Sequence, residues 1–135
     1  MVDGIRLSNS YQASARRLYD ILLDSKEFSA FTGGKAASIE PTAGGAFTMF
    51  GGMISGRTID LVPGRRIVQA WRAGNWDEGA YSIVRFDFAD EGTGARLTLT
   101  HSGFAEEHRS HLTSGWSANY FDPLRAYLGQ TSSKN

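Results

Sequence analysis

The chain has 135 residues, enough for one domain and too few for two full cores. Fourteen Lys and Arg balance fourteen Asp and Glu, which argues against a nucleic-acid backbone binder and against a polybasic membrane anchor, since both need a basic excess. The absence of cysteine excludes disulfides, thiol catalysis, iron–sulfur clusters and cysteine zinc sites, and a chain that is 41% hydrophobic and 12% aromatic is too apolar for disorder.

The opening MVDGIRLSNS has no apolar signal segment, and no stretch approaches the ~20 apolar residues of a membrane span, so a soluble cytoplasmic protein is expected. Ile5, Leu7 and Tyr11 fall at odd positions and predict a strand over 4–12. Ser14 then reads as a helix N-cap, with Ala15, Leu18, Ile21 and Leu22 on one face of a short helix over 15–23. Ser25 reads as the cap of a second helix carrying Phe28 and Phe31, ended by Gly33-Gly34. Six strands follow, expected at 36–40, 45–50, 53–62, 65–72, 81–89 and 95–101. They are separated by turns at Pro41–Gly44, Pro63-Gly64 and Asp90–Gly94. Val84, Phe86 and Phe88 alternate with Arg85 and Asp87. Leu97, Leu99 and His101 likewise share one face, the pattern of an antiparallel sheet with one buried side. Leu112, Trp116, Tyr120, Leu124 and Leu128 recur every four residues and predict a long helix over 108–128, with a kink where Pro123 removes the hydrogen bond to residue 119. The polar residues 129–135 are expected to fray. The fold class is therefore α+β, a single domain over 1–135 in the order β-α-α-β6-α, its long helix covering a curved antiparallel sheet.

Several segments resemble a known family. They are Ala13–Asp20, Ala43-Gly44-Gly45-Ala46-Phe47, Ile54-Ser55-Gly56-Arg57 with Asp60–Gly64, Ile67–Arg72 ending in Trp-Arg, Asn75–Gly79, and Gly115-Trp116 with Tyr120 and Pro123-Leu124. In this order they resemble the helix-grip, START-like (SRPBCC) superfamily, and within it the family named after the activator of heat-shock protein 90 ATPase. The resemblance covers nearly the whole chain and rests on order and spacing. It implies a helix-grip fold with a cavity between sheet and long helix, used across the superfamily for hydrophobic molecules and in some members for cyclase or hydratase chemistry. It also implies a chaperone as a partner.

Candidate chemistry is sparse. His101, His108 and His111 match no zinc spacing, and there is no nucleophile elbow, P-loop or dinucleotide fingerprint, so neither a metal nor a cofactor is expected. Asp77-Glu78 are adjacent rather than convergent and read as solvated loop charges, and Arg57 and Arg72 as outward ion pairs or as cavity anchors for a carboxylate. His101 faces the long helix, either as a hydrogen-bonded core histidine or as a polar group in a pocket wall. Phe47, Trp71, Phe86, Trp116 and Tyr120 are core or pocket lining, and a buried Tyr or Trp among them needs a hydrogen-bond partner. The leading expectation is a non-catalytic site for a small hydrophobic or amphipathic molecule, lined by Phe47, Trp71, Phe86, His101, Trp116 and Tyr120. The alternatives are an enzyme using His101 or a pocket tyrosine as acid–base group, and a protein-interaction module without a cavity. Open sheet edges also allow a homodimer.

Overall fold

β1 (Ile5–Tyr11) opens the described chain, which in this computed structural model covers residues 4–129. Ser14 Oγ accepts the Arg17 N–H at 3.0 Å and starts α1 (Ala15–Leu23), whose Leu18 and Ile21 are fully buried. The cap of α2 (Ser25–Phe31) lies one residue earlier than expected. Asp24 accepts the Glu27 N–H at 2.9 Å, and Ser25 Oγ instead accepts the Ile39 N–H at 2.8 Å, tying the helix to the next strand.

Six strands follow in the order expected: β2 (Ser38–Ile39), β3 (Ala46–Met49), β4 (Ile54–Val62), β5 (Arg66–Ala73), β6 (Ser82–Glu91) and β7 (Gly94–Ser102). All neighbours pair antiparallel in the order β1-β7-β6-β5-β4-β3-β2. Two boundaries are corrected. The strand expected at 36–40 shrinks to two residues, because only Ser38 and Ile39 find partners on β3. The turn at Asp90–Gly94 tightens to Gly92-Thr93, because Asp90 and Glu91 continue the ladder to Ala95 and Gly94. Gly56 sits between two aromatics, paired with Phe47 on one side and Trp71 on the other, where a Cβ would lie 1.8 Å from the Ala70 carbonyl oxygen. Only glycine allows that approach, and it brings both rings onto the concave face.

The chain then crosses this face as α3 (Arg109–Trp116), a π-helical turn (Ser117–Phe121) and α4 (Asp122–Tyr127), with right-handed dihedrals through both junctions. The π turn, closed by the Asp122 N–H to the Ser117 carbonyl, is the response to a stripe spaced every four residues. On a helix of 3.6 residues per turn such a stripe drifts about 40° per step, and a wider turn takes up the surplus. Leu112, Trp116, Tyr120 and Leu124 all stay buried as a result, joined by Phe121. The irregularity expected as a kink at Pro123 takes the form of this π turn, just before the proline. Pro123 falls in the first turn of α4, where its missing N–H is tolerated, and Tyr11 Oη donates to the Phe121 carbonyl at 3.2 Å. The fraying expected for 129–135 lies, apart from Gly129, outside the described residues.

The observed architecture is the α+β helix-grip arrangement, a seven-stranded antiparallel sheet with a C-terminal helix across it. No helix among the described residues is long and apolar enough to cross a membrane.

Candidate functional site

The six residues expected as lining are all buried: Phe47, Trp71, Phe86, His101, Trp116 and Tyr120. Strand parity places Trp71, Phe86 and His101 on the concave face, and the helical stripe lays Trp116 and Tyr120 over them. The rings meet edge-on or tilted, with Trp116 5.5 Å from Trp71, 5.6 Å from His101 and 4.3 Å from Tyr120. Phe86 adds edge contact with Trp116 at 5.8 Å.

His101 is the centre of a directed hydrogen-bond chain. An indole can only donate, so the Trp116 Nε1–H at 3.0 Å fixes His101 Nδ1 as the acceptor and leaves the proton on Nε2. That proton reaches Ser82 Oγ at 2.8 Å, and the serine spends its own proton on the Trp71 carbonyl, also at 2.8 Å. The imidazole is fully enclosed, and burial pushes its pKa down from 6.5 to about 4. It is a neutral core histidine with both nitrogens engaged. Tyr120 and Trp71 differ from it: Tyr120 Oη and Trp71 Nε1 are buried and, among the described residues, have no hydrogen-bond partner. Burial raises the phenol above its ordinary value. The indole N–H of Trp71 is close enough to pull it the other way, yet the two make no well-directed bond.

In front of this cluster lies a cavity of about 480 Å³ between the sheet and the C-terminal helix, within the size range of small-molecule sites. Trp71, Trp116 and Tyr120 form part of its wall. Phe47, Phe86 and His101 lie in the core outside it. The remaining apolar wall comes from Phe50, Met53, Ile54, Ala73, Trp76 and Leu112, and the polar side chains on it are Lys35, Asn75, His108, His111 and Asn119.

Local structure explains who stands where. The π turn carries Asn119 and Tyr120 to the wall. Phe50 holds a φ of 56°, rare for a bulky residue, and with Gly51 (67°) and Gly52 (96°) it bends the β3–β4 connection so that its ring packs 5.4 Å from Tyr120. The 74–80 loop is held by Arg72, whose guanidinium donates to the carbonyls of Trp76 (2.8 Å), Asp77 (3.1 Å) and Ala80 (3.3 Å). Arg72 is therefore neither a cavity anchor nor an outward ion pair; it braces the loop that delivers Trp76. Arg57 binds the Gly44 carbonyl in the same manner at 2.9 Å. Trp76 stacks on His108, rings 5.3 Å apart and 16° from parallel, closing one side of the cavity. Phe50, Trp76 and Gly115 escape sequence reasoning because a turn, a loop and a helix interior give them no periodic signal. The Gly51-Gly52 pair and the strict spacing of four were the visible traces of the two backbone devices.

Residues 12–129 match the family described as Activator of Hsp90 ATPase homolog 1-like protein. The human Activator of 90 kDa heat shock protein ATPase homolog 1 is 30% identical over 125 residues, which are 93% of this chain and 37% of that protein. The chain thus spans little more than a third of that relative. An Hsp90 activator from Plasmodium falciparum has the same fold, with a TM-score of 0.87 at 22% identity, covering 95% of this chain and 97% of that one. So does the Aha1 dimer from Colwellia psychrerythraea, with a TM-score of 0.78 at 16% identity, covering 95% and 96%. With the match running through β2–β7 and the whole C-terminal helix, the chain belongs to the Activator of Hsp90 ATPase homolog 1-like family.

Proposed function

We propose that this domain is a non-catalytic binding module that takes a small hydrophobic or amphipathic molecule between the sheet and the C-terminal helix. The observation that carries this reading is the cavity itself, walled by Trp71, Trp76, Trp116, Tyr120 and Phe50. Its setting favours binding over catalysis. His101 has no free lone pair, and the Tyr120 phenol is pushed away from neutral pH, so neither offers an acid–base group near its working range.

Gly115 supplies the test. It sits mid-helix on the cavity wall, where glycine costs about 1 kcal/mol relative to alanine, and a Cβ there would meet only Asn119 Nδ2 at an ordinary 3.6 Å. Gly115→Leu should therefore fold at least as well as the parent and fill the cavity. The neutral dye phenylnaphthylamine is expected to bind the parent at micromolar affinity, about 8 kcal/mol, and at least tenfold more weakly after Gly115→Leu. No binding by the parent would refute the reading.

The second reading is a chaperone-linked role, supported by relatives that carry the Hsp90-activator name. Titration calorimetry against an Hsp90-class chaperone is expected to show complex formation, and heat-free titrations across the micromolar range would remove this partner. The open edge strand β1 also admits a homodimer, consistent with the dimeric Colwellia relative.

A further inference from the structure

The polar lining of the cavity is one-sided. The chain as a whole carries equal numbers of acidic and basic residues, yet among the described residues no Asp or Glu lies on the cavity wall, while Lys35, His108 and His111 do, together with the amides of Asn75 and Asn119. Lys35 is exposed and, among the described residues, pairs with no carboxylate; Arg6, Lys26, Arg57 and Arg65 share that state, but Lys35 alone of these five stands on the cavity wall. Asp77 and Glu107 line a separate, smaller hollow of about 180 Å³ that shares Asn75, Trp76 and His108 with the main cavity. The Trp76–His108 stack stands where the two hollows meet. The larger cavity thus combines an aromatic wall with an unneutralised ammonium and side-chain N–H donors.

We infer that the occupant of the cavity is an organic anion, a flat apolar body lying against the accessible side chains of Phe50, Met53 and Trp76, in front of the buried rings of Trp71, Trp116 and Tyr120, with its carboxylate, sulfonate or phosphate held at Lys35. This rests on the binding reading above and adds the charge of the ligand to it. Placing the anion at an exposed lysine avoids burying it, since a desolvated carboxylate without a partner would be strongly disfavoured. The contact remains screened by salt.

Two dyes of nearly the same shape separate the questions, anilinonaphthalene sulfonate and its uncharged parent phenylnaphthylamine. At low ionic strength the sulfonate dye is expected to bind about tenfold more tightly, a preference that shrinks as salt is added. Lys35→Glu should abolish that preference, read as the ratio of the two dyes' affinities within the same variant, while Gly115→Leu should weaken both. If both dyes bind equally and Lys35→Glu changes nothing, the anion inference falls and the cavity reading stands. If neither dye binds, both fall. A sulfonate preference that survives Gly115→Leu would place the charged dye elsewhere on the surface and overturn the inference.

Discussion

Tyr120 and Trp116 lie one helical turn apart on the same face and meet opposite polar fates. The Trp116 N–H has a partner in His101 Nδ1, so its burial leaves nothing unsatisfied. Tyr120 Oη is as deeply enclosed and, among the described residues, has none. A hydroxyl buried without a bond costs free energy of about 1–3 kcal/mol, and removing it while keeping the ring recovers part of that cost. Tyr120→Phe should therefore leave thermal stability unchanged or raise it, against the usual direction for a core substitution. A drop of several degrees in Tm would mean that the phenol has a partner in solution. The ring's own contacts with Phe28, Phe50 and Trp116 stay in place in this variant, so the measurement isolates the oxygen.

At the scale of elements, what could be read in advance follows from how far each signal reaches along the chain. Alternation at 84–88 and 97–101 placed β6 and β7 with the correct inward face, because a period of two admits only one orientation once a side is buried. The same rule gave Phe86 and His101 their direction. Ser14 was legible as a cap because its hydroxyl acts three residues away. The π turn was not, although its cause stood in the spacing of the stripe. A repeat of four fits an α-helix loosely enough to pass for one, and only the need to bury Leu112 and Leu124 together exposes the mismatch. The sequence pattern puts Phe50 at the end of the strand over 45–50, but it occupies a left-handed turn. Nothing local to a phenylalanine predicts that; the packing of its ring against Phe28 and Tyr120 accompanies it. The candidate site divides along the same line. The helical stripe directs Trp116 and Tyr120 toward the sheet, Trp71 lies on a strand that is apolar at both parities and has no such direction from sequence, and Phe50, Trp76 and Gly115 depend on tertiary placement.

For the molecule as a whole, the hydrogen-bond chain through His101 makes folding sensitive to acid. It links the C-terminal helix through Trp116, strand β7 through His101, strand β6 through Ser82 and strand β5 through the Trp71 carbonyl. The folded-state pKa of His101 is about 4, against 6.5 for an unburied histidine. The unfolded chain therefore takes up the proton first as pH falls. Stability from this group is complete above about 6.5, declines as pH drops toward 4, and changes no further below it. The total is about 3 kcal/mol by linkage, a substantial share of a small domain's stability. Protonating Nδ1 in the folded state would set a second donor against the Trp116 N–H, which is why the core resists it. Denaturant unfolding between pH 7 and pH 4 should show this loss, and His101→Asn, which has no titrating group there, should flatten that part of the profile whatever its absolute stability. His108 and His111 are present in both proteins and cancel in the comparison. An NMR titration gives the same answer without unfolding: the His101 ring resonances should hold their neutral positions down to about pH 4. A ring that titrates near 6.5 in the folded protein would show the core to be open to water at this point, and the bond to Trp116 to be absent.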